Sequence, residues 1–261
     1  MKIVASTERA FSPTLKKVAS RARVQGAAVE KTVKSILQAV ERGGDKAVLR
    51  YTKQFDRVSM KDSELRVTPE EIKEAYFHIR KDEGDALRFA AQRITSFHER
   101  QRIKTWMYQD HEATLGQVVT PVDAVGVYVP GGKAVYPSSV LMCAIPAKVA
   151  GVSRIVMCTP PQKGPINPYL LVAADIAGVT EIYRVGGVQA VGAMAYGTKT
   201  IQRVDKIVLE HRAPAGGRAR LERDDQLAGT EAALEGAQRL ANRRRVMSEV
   251  VDHGHAAGDP A

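Results

Sequence analysis

"VGVYVPGGKAVYPSSVLMCAIPAKVAGVSRIVMCTPP", residues Val125 to Pro161, decides the fold. A run rich in valine, Val125 to Val129, stops at Pro130-Gly131-Gly132; an apolar stretch of helical length, Ser138 to Ala150, follows; a second β-rich run, Arg154 to Thr159, stops at Pro160-Pro161. Strand, helix and strand in that order pair the strands in parallel through a right-handed crossover. The rhythm continues downstream. "AVGVYVP" (Ala124 to Pro130), "RIVMCTP" (Arg154 to Pro160), "EIYRVGG" (Glu181 to Gly187) and "DKIV" (Asp205 to Val208) read as strands, separated by helices over Ser138 to Ala150, Asn167 to Ala177 and Val188 to Tyr196. The pattern predicts an α/β unit over residues 111–208, a Rossmann-like parallel sheet with helices on both faces.

Upstream, residues 1–110 read as a helical N-terminal region. Ala28, Val29, Val33, Ile36, Leu37 and Val40 recur at helical spacing, and Gly43-Gly44 closes the pattern as a C-terminal cap would. A second helix is expected from Asp45 through Ala47, Val48, Leu49 and Tyr51. Thr68-Pro69-Glu70-Glu71 is a start signal, with Thr68 as N-cap, proline in the first helical position and Glu71 closing a capping box. The long stretch from Ile72 to Ile103 is expected to break near Gly84, and the helical character to run to about Gln109.

Downstream, residues 209–261 differ in kind: they contain no lysine, isoleucine, phenylalanine, tyrosine or tryptophan, and their basic residues are all arginine. Residues 231 to 251 form an amphipathic pattern through Leu234, Leu240, Val246 and Val250, but the remainder offers little to pack, so a poorly ordered or loosely helical tail is expected.

Composition limits the function classes. With 261 residues, 44% apolar and 26% charged, the chain can bury a sizeable core. It lacks a run of about 18 apolar residues, and MKIVASTERAF lacks the apolar centre and cleavage site of a secretory signal, so no membrane partner and a cytoplasmic location are expected. Cys143 and Cys158 both lie in apolar runs and read as reduced core thiols. The net charge of +10 comes with few aromatics and no nucleic-acid motif; it reads as a solvated basic surface that draws in an anionic cofactor, with no nucleic-acid partner.

The three turn pairs Gly131-Gly132, Pro160-Pro161 and Gly186-Gly187 all belong to the carboxyl edge of the expected sheet, where ligands bind in open α/β folds. A Walker loop is excluded: it needs four residues between its glycine and Gly-Lys, whereas five separate Gly126 from Gly132-Lys133, and Ala134 follows where Ser or Thr is required. The G-x-G-x-x-G fingerprint is also missing. A structural turn and a ligand loop both remain open for Gly131-Gly132, and Ser138-Ser139 opens a helix whose free N–H groups could face an anion. Gln189, at the start of a short helix, could reach outward to a ligand, or simply start the helix. Tyr128 suits either core packing or a phenol at the strand end. Of the histidines, His78 and His98 sit in charged helices facing solvent, Glu210-His211 is an isolated acid and base, and His253 with His255 falls short of a zinc ligand set.

A resemblance joins these residues. "VLRYTKQFDRV", "ALRFAAQRITSFHERQ", "LGQVVTPVDAVGVYVPGGKAVYPSSVLMCAIPAKVAGVSRIVMCTPP", "NPYLLVAADIAGVTEIYRVGGVQAVGAMAYGT" and "IQRVDKIV" closely resemble the N-terminal half of the histidinol dehydrogenase family, in order, over about residues 25–208. The resemblance implies NAD-dependent oxidation of L-histidinol to L-histidine, one zinc ion per subunit and a homodimer. It implies that Tyr128, matching the tyrosine of a Y-[VI]-P-G-G motif, and Gln189, matching the glutamine of G-G-x-Q-A, contact NAD, and that Gly131-Gly132 shapes a nucleotide-facing loop.

After "DKIV" the family pattern G-P-G-N and a second α/β domain with the zinc ligands and the Glu-His pair are replaced by "LEHRAPAGGRARLERDD". No catalytic or metal-binding residue is therefore assigned, and a frame change after Val208 in a GC-rich gene is the expected origin of the tail. The expected function is that of a truncated histidinol dehydrogenase, inactive alone; a non-catalytic nucleotide-binding module, or a pseudo-subunit, is the alternative.

Overall fold

The structure, a computed structural model, describes residues 11–111, 113–131 and 135–209, with side chains from residue 29 onward and at Ser12 and Pro13. The expected tail begins one residue too early, since Leu209 ends a strand of the sheet; its remainder, residues 210–261 with Glu210-His211, His253 and His255, and the loop residues Gly132 and Lys133 lie outside the described residues.

Helix α1 (Phe11–Phe55) is two helices run together across Gly44, whose φ of 52° and ψ of −136° break the ladder where the Gly43-Gly44 pair predicts an end. Its predicted stripe is buried at Val33, Ile36, Leu37 and Val40, and beyond the break at Ala47 and Val48. Helix α2 (Pro69–Ala75) starts as its sequence signal requires: the Glu71 N–H donates to Thr68 Oγ1, and the Thr68 N–H donates to Glu71 Oε2. Helix α3 (Lys81–Glu99) follows. The break therefore falls at Ile79 and Arg80, both extended, and Gly84 lies within the first turn of α3. Asp82 and Glu83 decide this, since acids favour a helix N-terminus and Glu83 accepts the Arg80 N–H at 3.0 Å.

Helical character also ends sooner than Gln109. Strands β1 (Trp106–Asp110) and β2 (Ala113–Gln117) form an antiparallel hairpin, Trp106 opposite Gln117 and Tyr108 opposite Leu115. His111 turns the chain with φ of 50°, a job usually signalled by Asn-Gly or Asp-Gly.

From Ala124 the expected alternation is realised as β3 (Ala124–Tyr128), α4 (Pro137–Val149), β4 (Arg154–Thr159), α5 (Pro168–Ala177), β5 (Glu181–Arg184), α6 (Gly187–Tyr196) and β6 (Lys206–Leu209). All four strands are parallel, in the order β5-β4-β3-β6. The chain winds outward from β3 through β4 to β5 and then crosses back to place β6 on the other side of β3. In open α/β sheets such a reversal marks the place where ligands bind, outside the carboxyl ends of the two strands it separates, here β3 and β6. Side chains alternate across the sheet: Val125, Val127 and Met157 face α4 and α5, while Tyr128, Val156 and Cys158 face α1 and α6. Both cysteines are buried thiols that form no disulfide among the described residues, in keeping with their apolar settings.

The edges of this sheet are closed by polar links. Beside β5, the Val67 N–H donates to the Ile182 carbonyl and the Arg184 N–H to the Leu65 carbonyl, while the Arg184 guanidinium binds the carbonyls of Glu64 and Arg66 and the carboxylate of Glu71. At the amino edge Arg154 ties Glu181 to the carbonyls of Gln202 and Arg203. Asp45 Oδ2 accepts the Thr200 N–H at 3.0 Å and its hydroxyl at 2.8 Å, anchoring to α1 the loop that leads to β6.

Candidate functional site

The three turns at the carboxyl edge pack on one another. A Cβ on Gly131 would meet the Pro160 ring at 3.2 Å, and one on Gly186 would meet it at 2.8 Å, so two glycines make room for one proline. This gives Gly131 a structural reason for its identity, beside any role toward a ligand.

Tyr128 ends β3, level with Cys158 in β4 and Leu209 in β6. It is buried, and its Oη accepts the Gly187 N–H at 3.0 Å. Gly187 has φ of 59°, a backbone state that glycine adopts freely, and this turn aims its N–H at the phenol. Burial, which disfavours phenolate, pushes Tyr128 up to about 12, so the side chain is a neutral hydroxyl at physiological pH. The same burial pushes up the adjoining Cys158 thiol.

Gln189 follows two residues later in the first turn of α6, on the same side of the sheet as Tyr128. Its amide does not reach outward: the residue is 1% exposed, and Nε2 donates to Asp56 Oδ2 at 3.4 Å. Gln189 Oε1 is buried without a hydrogen-bond partner. Asp56 closes the cluster from the end of α1, where its N–H donates to the Thr52 carbonyl at 2.9 Å. Burial pushes the Asp56 carboxyl up to about 6.

The structure thus brings together Tyr128 and Gln189, and adds Asp56. Sequence reasoning passed over Asp56, although it stands in the quoted "KQFDRV" stretch; no spacing rule links residues 133 positions apart in the chain. Ser138, at the start of α4, is exposed and Ser139 is buried. His78 is exposed and His98 half-buried, the latter within 2.7 Å of Gln101 Oε1. Neither belongs to the cluster.

A dinucleotide fits these residues. The cluster stands at the switch of winding direction, its close-packed turns contain glycine, and a buried amide oxygen has no protein partner. Zinc does not fit in the same way, because among the described residues no three His, Cys, Asp or Glu side chains group so as to hold a metal ion. No helix among the described residues is long and apolar enough to cross a membrane.

Comparison with known proteins gives a consistent result. The family model for histidinol dehydrogenase matches residues 19–208. A histidinol dehydrogenase from Syntrophotalea carbinolica is 47% identical over 208 residues, covering 79% of this chain and 48% of that protein. A "histidinol dehydrogenase 2" from Trichormus variabilis is 55% identical over 181 residues, covering 68% of this chain and 42% of that protein. The crystal structure of histidinol dehydrogenase from Elizabethkingia anophelis superposes with a TM-score of 0.70 at 33% identity, over 82% of this chain and 46% of that one. The chain therefore spans about half the length of the curated relatives it matches. The match runs through the helical start, every strand of the parallel sheet and the Tyr128 and Gln189 turns, and by it the chain belongs to the histidinol dehydrogenase family.

Proposed function

We propose that this chain is the nucleotide-binding half of a histidinol dehydrogenase: it binds NAD at the carboxyl edge of β3, with Tyr128 and Gln189 in contact with the cofactor. NAD supplies the hydride acceptor when bound; the protein's part is to hold it. The single observation that carries the reading is the buried, unpartnered Gln189 Oε1, beside Tyr128 at the switch point of the sheet. A buried acceptor without a partner is costly, and a bound donor removes the cost. The basic balance of the chain favours approach of the pyrophosphate.

The substrate class that goes with this reading is the amino alcohol L-histidinol, oxidised to L-histidine, with zinc supplied by residues other than those described. Turnover by the chain alone is not expected, because the matched region is less than half of each relative. That same fact favours one further reading, a pseudo-subunit or nucleotide-binding module that does no chemistry itself.

Calorimetry with NAD, with and without zinc, tests both. Heat of binding that is unaffected by zinc, with an affinity about tenfold weaker in Gln189→Ala, supports nucleotide binding by this half. Absence of binding by the unaltered chain overturns it. Formation of NADH by purified, zinc-loaded protein with histidinol would overturn the statement that the chain alone does not turn over.

A further inference from the structure

We propose that Asp56 is a positioning residue for the nucleotide site: it turns the Gln189 amino group toward itself and so presents Gln189 Oε1 to a hydroxyl or amide N–H of the dinucleotide. This rests on the reading that NAD binds beside Tyr128 and Gln189.

Three observations carry it. An ionised carboxylate can only accept hydrogen bonds, so the Gln189 group facing Asp56 Oδ2 at 3.4 Å must be the amino group, and the oxygen is left for another donor. That oxygen is buried and unpartnered in a side chain 1% exposed. Asp56 itself forms no ion pair with Lys, Arg or His among the described residues; the titratable groups around it are the neutral Tyr128 hydroxyl on β3 and, next to that, the Cys158 thiol on β4. A half-buried carboxyl with no cation is costly to keep ionised, and such groups concentrate where ligands bind. The backbone agrees with a constrained position: Arg57, the next residue, has φ of 56°, a left-handed conformation that a non-glycine residue adopts at a cost.

The test uses the full chain and NAD itself. Affinity is measured by calorimetry, and the Gln189 side-chain amide is followed by NMR, in Asp56→Ala, Asp56→Asn, Gln189→Ala and the Asp56→Ala/Gln189→Ala pair. Asp56→Ala and Gln189→Ala should each weaken NAD binding by about tenfold, the scale of one hydrogen bond. The double variant should be no weaker than Gln189→Ala, because both changes remove one contact. Asp56→Asn, which can face the amide either way round, should fall between, and the amide signal should move in both Asp56 variants. Losses that multiply in the double variant, or an unmoved amide signal, would overturn the role of Asp56 while leaving the nucleotide site intact. NAD binding indifferent to Gln189→Ala would instead overturn the site, and the proposal's ligand contact with it. Should Asp56→Ala not fold, the near-isosteric Asp56→Asn still reports both readouts; a lowered melting temperature with unchanged affinity counts against the proposal.

Discussion

At the scale of single residues, the cluster of Tyr128, Gln189 and Asp56 is assembled from three distant parts of the chain and is held by weak, specific links. Gly187 donates to the phenol and Gln189 donates to the carboxylate. The acid pulls against stability. Its ordinary value is 3.8 and burial raises it to about 6, so between those values the unfolded chain is ionised while the folded chain keeps the proton. The folded state then binds more protons, and stability falls as pH rises through this window. Its contribution is fully present below about pH 3.8 and lost above about pH 6. Asp56→Asn should remove this fall: urea unfolding at several pH values should show the variant gaining on the unaltered chain between those limits and remaining the more stable at pH 7. Equal pH profiles for the two proteins would show that Asp56 is not held from water.

At the scale of elements, the carboxyl-edge turns are fitted to one another through Pro160. A Cβ on Gly186 would come within 2.8 Å of the Pro160 Cβ and Cγ and 3.0 Å of its Cα, and a proline ring cannot swing aside. Gly186 has φ of −107°, so an alanine is conformationally allowed there and only the contact opposes it. Gly186→Ala should therefore destabilise the chain by about 1–3 kcal/mol, the usual range for overpacking, measured by the shift of the urea midpoint at constant slope. Gly164, with open space around its Cβ position, supplies the control: Gly164→Ala should leave the midpoint nearly unchanged.

Legibility in the sequence varied by element for physical reasons. The parallel strands were readable because strands covered on both faces become continuous apolar runs, and helix α2 because its cap is a local signal. The hairpin was not: all ten of its strand residues are exposed, so no burial pattern marks them, and its turn uses His111 in place of glycine. The break before α3 does not fall at Gly84, because a glycine four residues into a helix is tolerated when acids in the first turn favour starting it earlier.

At the scale of the whole molecule, two faces of one sheet are covered by helices, while the β1–β2 hairpin carries Trp106, Met107, Tyr108 and Leu115 in the open. A lone two-stranded hairpin is marginal in water, even with Trp106 and Tyr108 stacked at 6.2 Å. Trp106 is the chain's single tryptophan and is 53% exposed, so its fluorescence reports on this hairpin alone. Acrylamide should quench it in the folded chain nearly as well as in urea. A shielded indole, above all one that becomes shielded as concentration rises, would show the hairpin covered by a second copy.

The order of strands and helices, the parallel pairing and the cap of α2 were determined by the sequence itself, because each follows from contacts between near neighbours or from an apolar run that only burial on both faces explains. The family, too, was written in motifs that can be read in one dimension. The tertiary structure alone decided that Gln189 turns inward, that its partner is Asp56 at the end of α1, and that Pro160 sets the shape of the glycine turns. Those are meetings of groups from opposite ends of the fold, and nothing in the local chemistry of either partner points to the other until the helices have packed on the sheet.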